Sequence, residues 1–151
     1  MKKIGWKKIS HFEGPEESPG FLLWQVNTLW RRQVEAALAT LGLTHAQFVI
    51  LASVAWLTRD GNQVTQVELA RHCGTDVTMT SQILRTLERN GYIERKQREG
   101  DVRSKLPHVT KKGSKMIEQA LPLVEGVDDD FFAKLKSNTK KFTHLLQKLT
   151  T

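Results

Sequence analysis

The stretch TQVELARHCGTDVTMTSQILRTLERNGYIERKQREGDVRSKLPHVT, residues 65–110, carries its own punctuation. Thr65-Gln66-Val67-Glu68 has the form of a capping box, in which the threonine hydroxyl accepts from the backbone N–H three residues on and the glutamate reaches back. It predicts a short helix from Gln66 to about His72, stopped at Gly74. Asp76 stands where it can cap a second helix, Val77 to about Asn90, with Gly91 as its C-terminal stop. On that helix Thr80, Ile83, Leu84 and Leu87 share one face. Thr78, Met79, Ser81, Gln82, Arg85 and Arg89 lie away from it. Two extended runs follow, Tyr92 to about Gln97 and Lys105 to about Val109. The linker between them, residues 98–104, is polar and contains a glycine. This predicts a β-hairpin with a flexible, charged tip.

Two short helices with Cys73-Gly74-Thr75 between them make a helix-turn-helix. The first helix supports the second, and the second fits a DNA major groove, which is wide enough to admit an α-helix. Its outward residues near the N-terminus are small or hydrogen-bonding. Gln82 suits an adenine edge and Met79 a thymine methyl. Free N–H groups at the helix start attract phosphate. Arg98, Arg103 and Lys105 of the hairpin supply a second grip, along the backbone or in the minor groove, whose narrow stretches attract arginine. Asp101 would repel DNA; its expected role is to hold Arg103 or another nearby arginine, or to stabilise the loop.

Outward from this unit the chain reads as helices. Thr44-His45-Ala46-Gln47 is another capping box, opening a helix with Phe48, Leu51, Ala52, Ala55 and Trp56 that ends near residues 59–62. Before it, a wide apolar stripe from Phe21 to about Leu41 includes Trp24, Leu29, Trp30, Val34 and Leu38. Residues 13–20 are rich in turn formers and should stop any helix, so residues 1–20 read as an irregular arm. After the hairpin, Thr110 caps a long helical region with Pro122 as a potential kink. Asp128-Asp129-Asp130 reads as a solvated acidic turn. Ser137-Asn138 marks a break before a last helix with Phe142, Leu145, Leu146 and Leu149. The expected class is mainly α with a small β-hairpin, in one domain spanning residues 1–151.

The 151 residues carry a net charge of +7. Residues 65–113 hold 10 Lys/Arg against 6 Asp/Glu, so more than half of the excess lies in that third of the chain. A polyanionic partner is implied. No apolar run is long enough for a transmembrane helix, and the basic start lacks a secretory signal's apolar region. The single cysteine, Cys73, excludes a disulfide framework within the chain, which points to the cytoplasm. Neither a phosphate-binding glycine loop nor a nucleophile elbow is present, and the histidines lack ligand spacing. No catalytic residue, metal or cofactor is therefore expected. A winged helix used only for protein contact would not need the basic wing.

Leu69-Ala70-Arg71-His72-Cys73-Gly74, then residues 80–93 (TSQILRTLERNGYI), resemble the recognition segment of the MarR (multiple antibiotic resistance regulator) family. Asp101-Val102-Arg103-Ser104-Lys105 resembles its wing, and Thr110-Lys111-Lys112-Gly113 the turn that opens the next helix. The resemblance implies a winged helix-turn-helix lobe, residues 44–113, joined to a helical dimerisation region from both chain ends, residues 21–43 and 114–151. It implies a homodimer binding duplex DNA at a palindromic operator, usually as a repressor. By position Thr78, Met79, Ser81 and Gln82 match the base- and phosphate-contacting face, with Arg85 beside them, and Arg103 matches the wing arginine. A basic residue often stands where this chain has Gln82, which implies a different base preference or weaker binding. Cys73 replaces a usual aliphatic core residue. Family members often bind small aromatic acids between the two regions. Trp24, Trp30, Phe48 and Trp56 are the candidates to line such a pocket for an aromatic or phenolic effector. The apolar surplus of the end helices calls for cover, and a second subunit is the simplest.

Overall fold

The computed structural model describes residues 4–98 and 100–151, without the side chains at 98 and 101–104. Among the described residues, six α-helices and one hairpin follow in chain order: α1 (Pro19–Ala39), α2 (His45–Thr58), α3 (Gln66–Cys73), α4 (Val77–Arg89), β1 (Ile93–Arg98), β2 (Asp101–Val109), α5 (Lys111–Phe132) and α6 (Thr139–Leu149). Short 3-10 turns occupy Trp6–Lys8, Pro15–Glu17 and Ala133–Asn138. The mainly helical class with a two-stranded antiparallel hairpin is the one the sequence implies.

The capping residues set the element starts. Thr44 and Thr65 form complete capping boxes with Gln47 and Glu68. The Asp76 carboxylate accepts from the Met79 N–H at 2.8 Å, and the Thr110 hydroxyl from that of Gly113 at 3.0 Å. Gly74 closes α3 with φ 66°, a left-handed conformation that a Cβ would strain.

Three local expectations need correcting. α1 starts at Pro19, not Phe21, because Ser18 caps it and a proline at the first helical position gives up an N–H that would have no partner anyway. The linker 98–104 is mostly strand: β2 begins at Asp101, and the pairing slips between Gln97 and Arg98, with Gly100 at φ 83° between the strands. Asp128, Asp129 and Asp130 lie inside α5, which runs through Pro122 without a break, rather than in a turn.

Two apolar clusters share α2. Ile50, Leu51 and Val54 pack with Val64, Leu69, Leu84, Leu87 and Ile93 in the helix-turn-helix lobe. Phe48 joins Val34 and Leu38 of α1, Leu43, and Ala120 and Val124 of α5. α2 is apolar nearly all round because it is covered on two sides.

Candidate nucleic-acid interface and ligand cavity

The two-faced pattern of α4 fixes its orientation. Thr80, Leu84 and Leu87 are buried, so Thr78, Met79, Gln82 and Arg85 are exposed and Ser81 is half-buried. The turn before α4 is tied down on the inner side. The Thr80 hydroxyl donates to the Asp76 carbonyl at 2.8 Å and lies 2.8 Å from the Thr75 hydroxyl. The Thr75 N–H donates to the Ala70 carbonyl at 3.0 Å. The sequence-derived recognition residues therefore share one outward surface, on a helix whose first turn is anchored to α3.

The far end of α4 is anchored too. Arg95 of β1 donates to the Glu88 carboxylate through Nε at 2.9 Å and Nη2 at 2.7 Å. These bonds hold the Glu88 carboxyl below the usual glutamate range, with burial opposing and the charges of Arg95 and Lys105 assisting. The Lys112 ammonium donates to the Asn90 carbonyl at 2.7 Å, and the Thr110 hydroxyl to the Gly91 carbonyl at 2.6 Å. Lys105, the innermost wing residue, is exposed and pairs with Gln97 in the hairpin. The side chains of Arg98, Asp101 and Arg103 lie outside the described residues.

The four candidate pocket aromatics do not come together. Phe48, 7% exposed, belongs to the core cluster beneath α1 and α5. Trp30 is half-buried there; its indole N–H donates to Asp128 at 2.7 Å and its ring meets His45 edge-on at 5.0 Å between centroids. Trp24, 69% exposed, lines a shallow groove of α1 with Arg31, Arg32 and Glu35. Trp24 and Trp30 are six positions apart, which turns them ~120° from each other on a helix. Only Trp56 lines the apolar cavity between α2, α3 and α5.

That cavity has a volume of about 450 Å³. Ala52, Ala55, Ile117 and Leu121 give it apolar walls, and Trp56, Arg59 and His72 add an aromatic face and two nitrogen groups. The Arg59 guanidinium lies 3.6 Å over the Trp56 ring and donates to the Trp56 carbonyl. Sequence reasoning missed Arg59 and His72, although the spacing Trp56–Arg59 is that of neighbours on one helix face. It also missed Gln66 and Val77, which line a groove along α4. Among the described residues no cluster of three His, Cys, Asp or Glu side chains forms a metal site, and no helix is long and apolar enough to cross a membrane.

Comparison with known proteins follows the same outline. Residues 43–105 match the MarR family. The HTH-type transcriptional regulator YdcH of Bacillus subtilis is 46% identical over 124 residues, 82% of this chain and 84% of its own. The HTH-type transcriptional repressor Rv2887 of Mycobacterium tuberculosis is 30% identical over 131 residues, 86% of this chain and 91% of its own. The crystal structure of Rv2887 with salicylic acid superposes with a TM-score of 0.68, at 31% identity, covering 87% of this chain and 96% of that one. A mutant of Escherichia coli MarR complexed with operator DNA superposes with a TM-score of 0.76, at 28% identity, covering 86% of this chain and 91% of that one.

Proposed function

The chain belongs to the MarR family of DNA-binding transcription regulators, and on that premise we propose that it is a repressor that binds a palindromic operator sequence-specifically as a homodimer and is released by a small aromatic ligand. The observation that carries the DNA reading is the outward face of α4. Thr78, Met79, Ser81, Gln82 and Arg85 are presented by a helix anchored at both ends. A helix that is to read base edges must not rock, since a bidentate contact depends on its geometry. The wing arginines, Arg98 and Arg103, with Lys105, grip the flanking backbone or minor groove, and Asp101 holds Arg103 or another nearby arginine, or stabilises the loop. Nothing in this role is enzymatic, and it belongs in the cytoplasm with the chromosome.

Support for the dimer comes from apolar residues left uncovered in the single chain. Phe21, Leu22, Leu23, Trp24, Val26 and Leu29 are exposed on α1, as are Leu121 and Leu123 on α5 and Leu145 and Leu149 on α6. Large apolar residues exposed in this number on the end helices suit a protein interface. Support for the ligand comes from the cavity beside Trp56. Its volume falls within the ~300–1,000 Å³ of small-molecule sites, and an aromatic acid would set its ring against the apolar walls and its carboxylate toward Arg59 and His72. The relative Rv2887 has been crystallised in complex with salicylic acid, a ligand of this chemistry.

The test is a fluorescence anisotropy titration against a duplex enriched from a random pool, with scrambled duplex as competitor. Selective binding with two subunits per site is expected. With ~6–10 phosphate contacts, affinity should fall ~10³–10⁵-fold between 50 and 200 mM salt. Adding salicylate should displace the wild type and leave an Arg59→Ala variant bound. Equal affinity for the scrambled duplex would overturn the sequence-specific reading, and displacement unaffected by R59A would move the ligand elsewhere.

A further inference from the structure

The groove along the outward face of α4 has two walls. One is α4 itself; the other is the first residue of α3. Gln66, Val77, Thr78, Ser81, Gln82 and Arg85 enclose about 280 Å³ of open space. Among the described residues no carboxylate lines it, and Arg85 is the charged one that does. The acids closest in sequence are engaged elsewhere. Asp76 caps the Met79 N–H. Glu68 accepts from the backbone N–H and hydroxyl of Thr65, and lines a separate cavity with Arg71 and His72.

Gln66 enters this groove in a fixed attitude. Its Nε2 donates to the carbonyl of Val77, the first residue of α4, at 3.3 Å. A primary amide has two N–H donors and a carbonyl acceptor, so one donor remains after Val77 is served. A half-buried amide in a groove that no described carboxylate lines, with a donor beyond the one given to Val77, is suited to an anionic oxygen.

We propose that Gln66 is a direct contact to the sugar–phosphate backbone of the bound duplex, and that its bond to Val77 sets the depth at which α4 sits in the major groove. The proposal rests on the DNA-binding reading above. Phosphate is favoured over a base edge by position. The supporting helix of a helix-turn-helix crosses the backbone while the second helix enters the groove, and half to two-thirds of protein–DNA hydrogen bonds end on phosphate or sugar.

Three variants of the full chain separate the possibilities, each titrated against the enriched and scrambled duplexes over a range of salt. Gln66→Ala should bind both duplexes roughly tenfold more weakly. Its salt dependence should stay that of the wild type, because a neutral amide displaces no counterion. Gln66→Glu cannot donate to Val77 either, so it loses the same clamp, and it adds a charge facing phosphate. It should bind at least about tenfold below Q66A. A glutamate in the first turn favours the helix, so that loss would not be a loss of folding. Gln66→Lys should recover affinity over Q66A and steepen the salt slope by ~0.9 per subunit. Equal binding by Q66E and Q66A would overturn the contact and leave only the clamp. A loss confined to duplexes altered at one base pair would make Gln66 a base reader instead. If the wild type itself fails to select a duplex, the DNA reading fails, and this proposal falls with it.

Discussion

At Gly113 the first turn of α5 meets the chain leaving α4. A Cβ built there would lie 2.0 Å from the Tyr92 carbonyl oxygen and 2.8 Å from Val109 Cγ1. Backbone cannot yield as a flexible side chain can, so Gly113→Ala has to push α5 away from the hairpin. Overpacking of this kind costs ~1–3 kcal/mol, occasionally more. Gly126, in the same helix, has nothing within 4 Å of its would-be Cβ. There the substitution to alanine should stabilise by up to ~1 kcal/mol, since glycine is the weaker helix former. Urea unfolding of the two variants checks both signs, and equal effects would show that the contact at Gly113 carries no strain. The glycine was legible in the sequence only as part of a turn. That it is a contact point between two elements depends on Tyr92, 21 positions earlier in the chain.

The candidate recognition helix, α4, is an element whose two ends were unequally legible. Its start is local chemistry: Asp76 and Gly74 act within a few residues of themselves, and the sequence places both. Its other end is held by partners from outside, Arg95 of β1 and Lys112 of α5. The Glu88–Arg95 pair gives a pH test. Arg95 depresses the Glu88 pKa in the fold, so its stabilisation is present above the ordinary glutamate value and lost as pH falls through the lower folded value. Glu88→Gln should therefore melt below the wild type at pH 7, with the gap closing below about pH 4. A gap that does not change with pH would show that the charge on Glu88 does not contribute. The hairpin taught a related lesson. Residues 98–104 read as a loop because polar residues and a glycine dominate them, yet an antiparallel pair can lengthen wherever both backbones are free to bond.

Across the whole molecule, one of several joints between the end helices and the helix-turn-helix lobe lies at Trp30. Trp30 of α1 donates to Asp128 of α5 and meets the ring of His45, the first residue of α2. Burial and the nearby Arg31 hold the His45 pKa below the usual histidine value, against Glu35 and Asp128, which raise it. The sign follows from linkage. The unfolded chain takes up the proton at higher pH than the fold, so stability is full above the ordinary value and falls as pH drops through the folded one. A charge at the N-terminus of α2 also opposes the helix dipole. Wild-type protein should thus lose melting temperature more steeply than His45→Gln as pH falls below about 6.5. Parallel curves would show that His45 does not titrate in this range.

The sequence by itself determined what depends on near neighbours along the chain. The four capping residues at Thr44, Thr65, Asp76 and Thr110, the left-handed stop at Gly74, and the split of α4 into an inner and an outer face all follow from residues within a few positions of one another. With them came the helix-turn-helix, its wing and the candidate DNA face. Tertiary structure decided where long side chains end up. Phe48 went to the core and Trp24 to an exposed face of α1, and Trp56 lines a cavity whose other walls come from α3 and α5. Asp128 became the acceptor of an indole 98 residues away rather than part of a solvated turn. The reason is geometric. An amphipathic pattern says which side of a helix is covered, while the identity of what covers it is set by how the helices cross, and those crossings join residues that no local spacing relates.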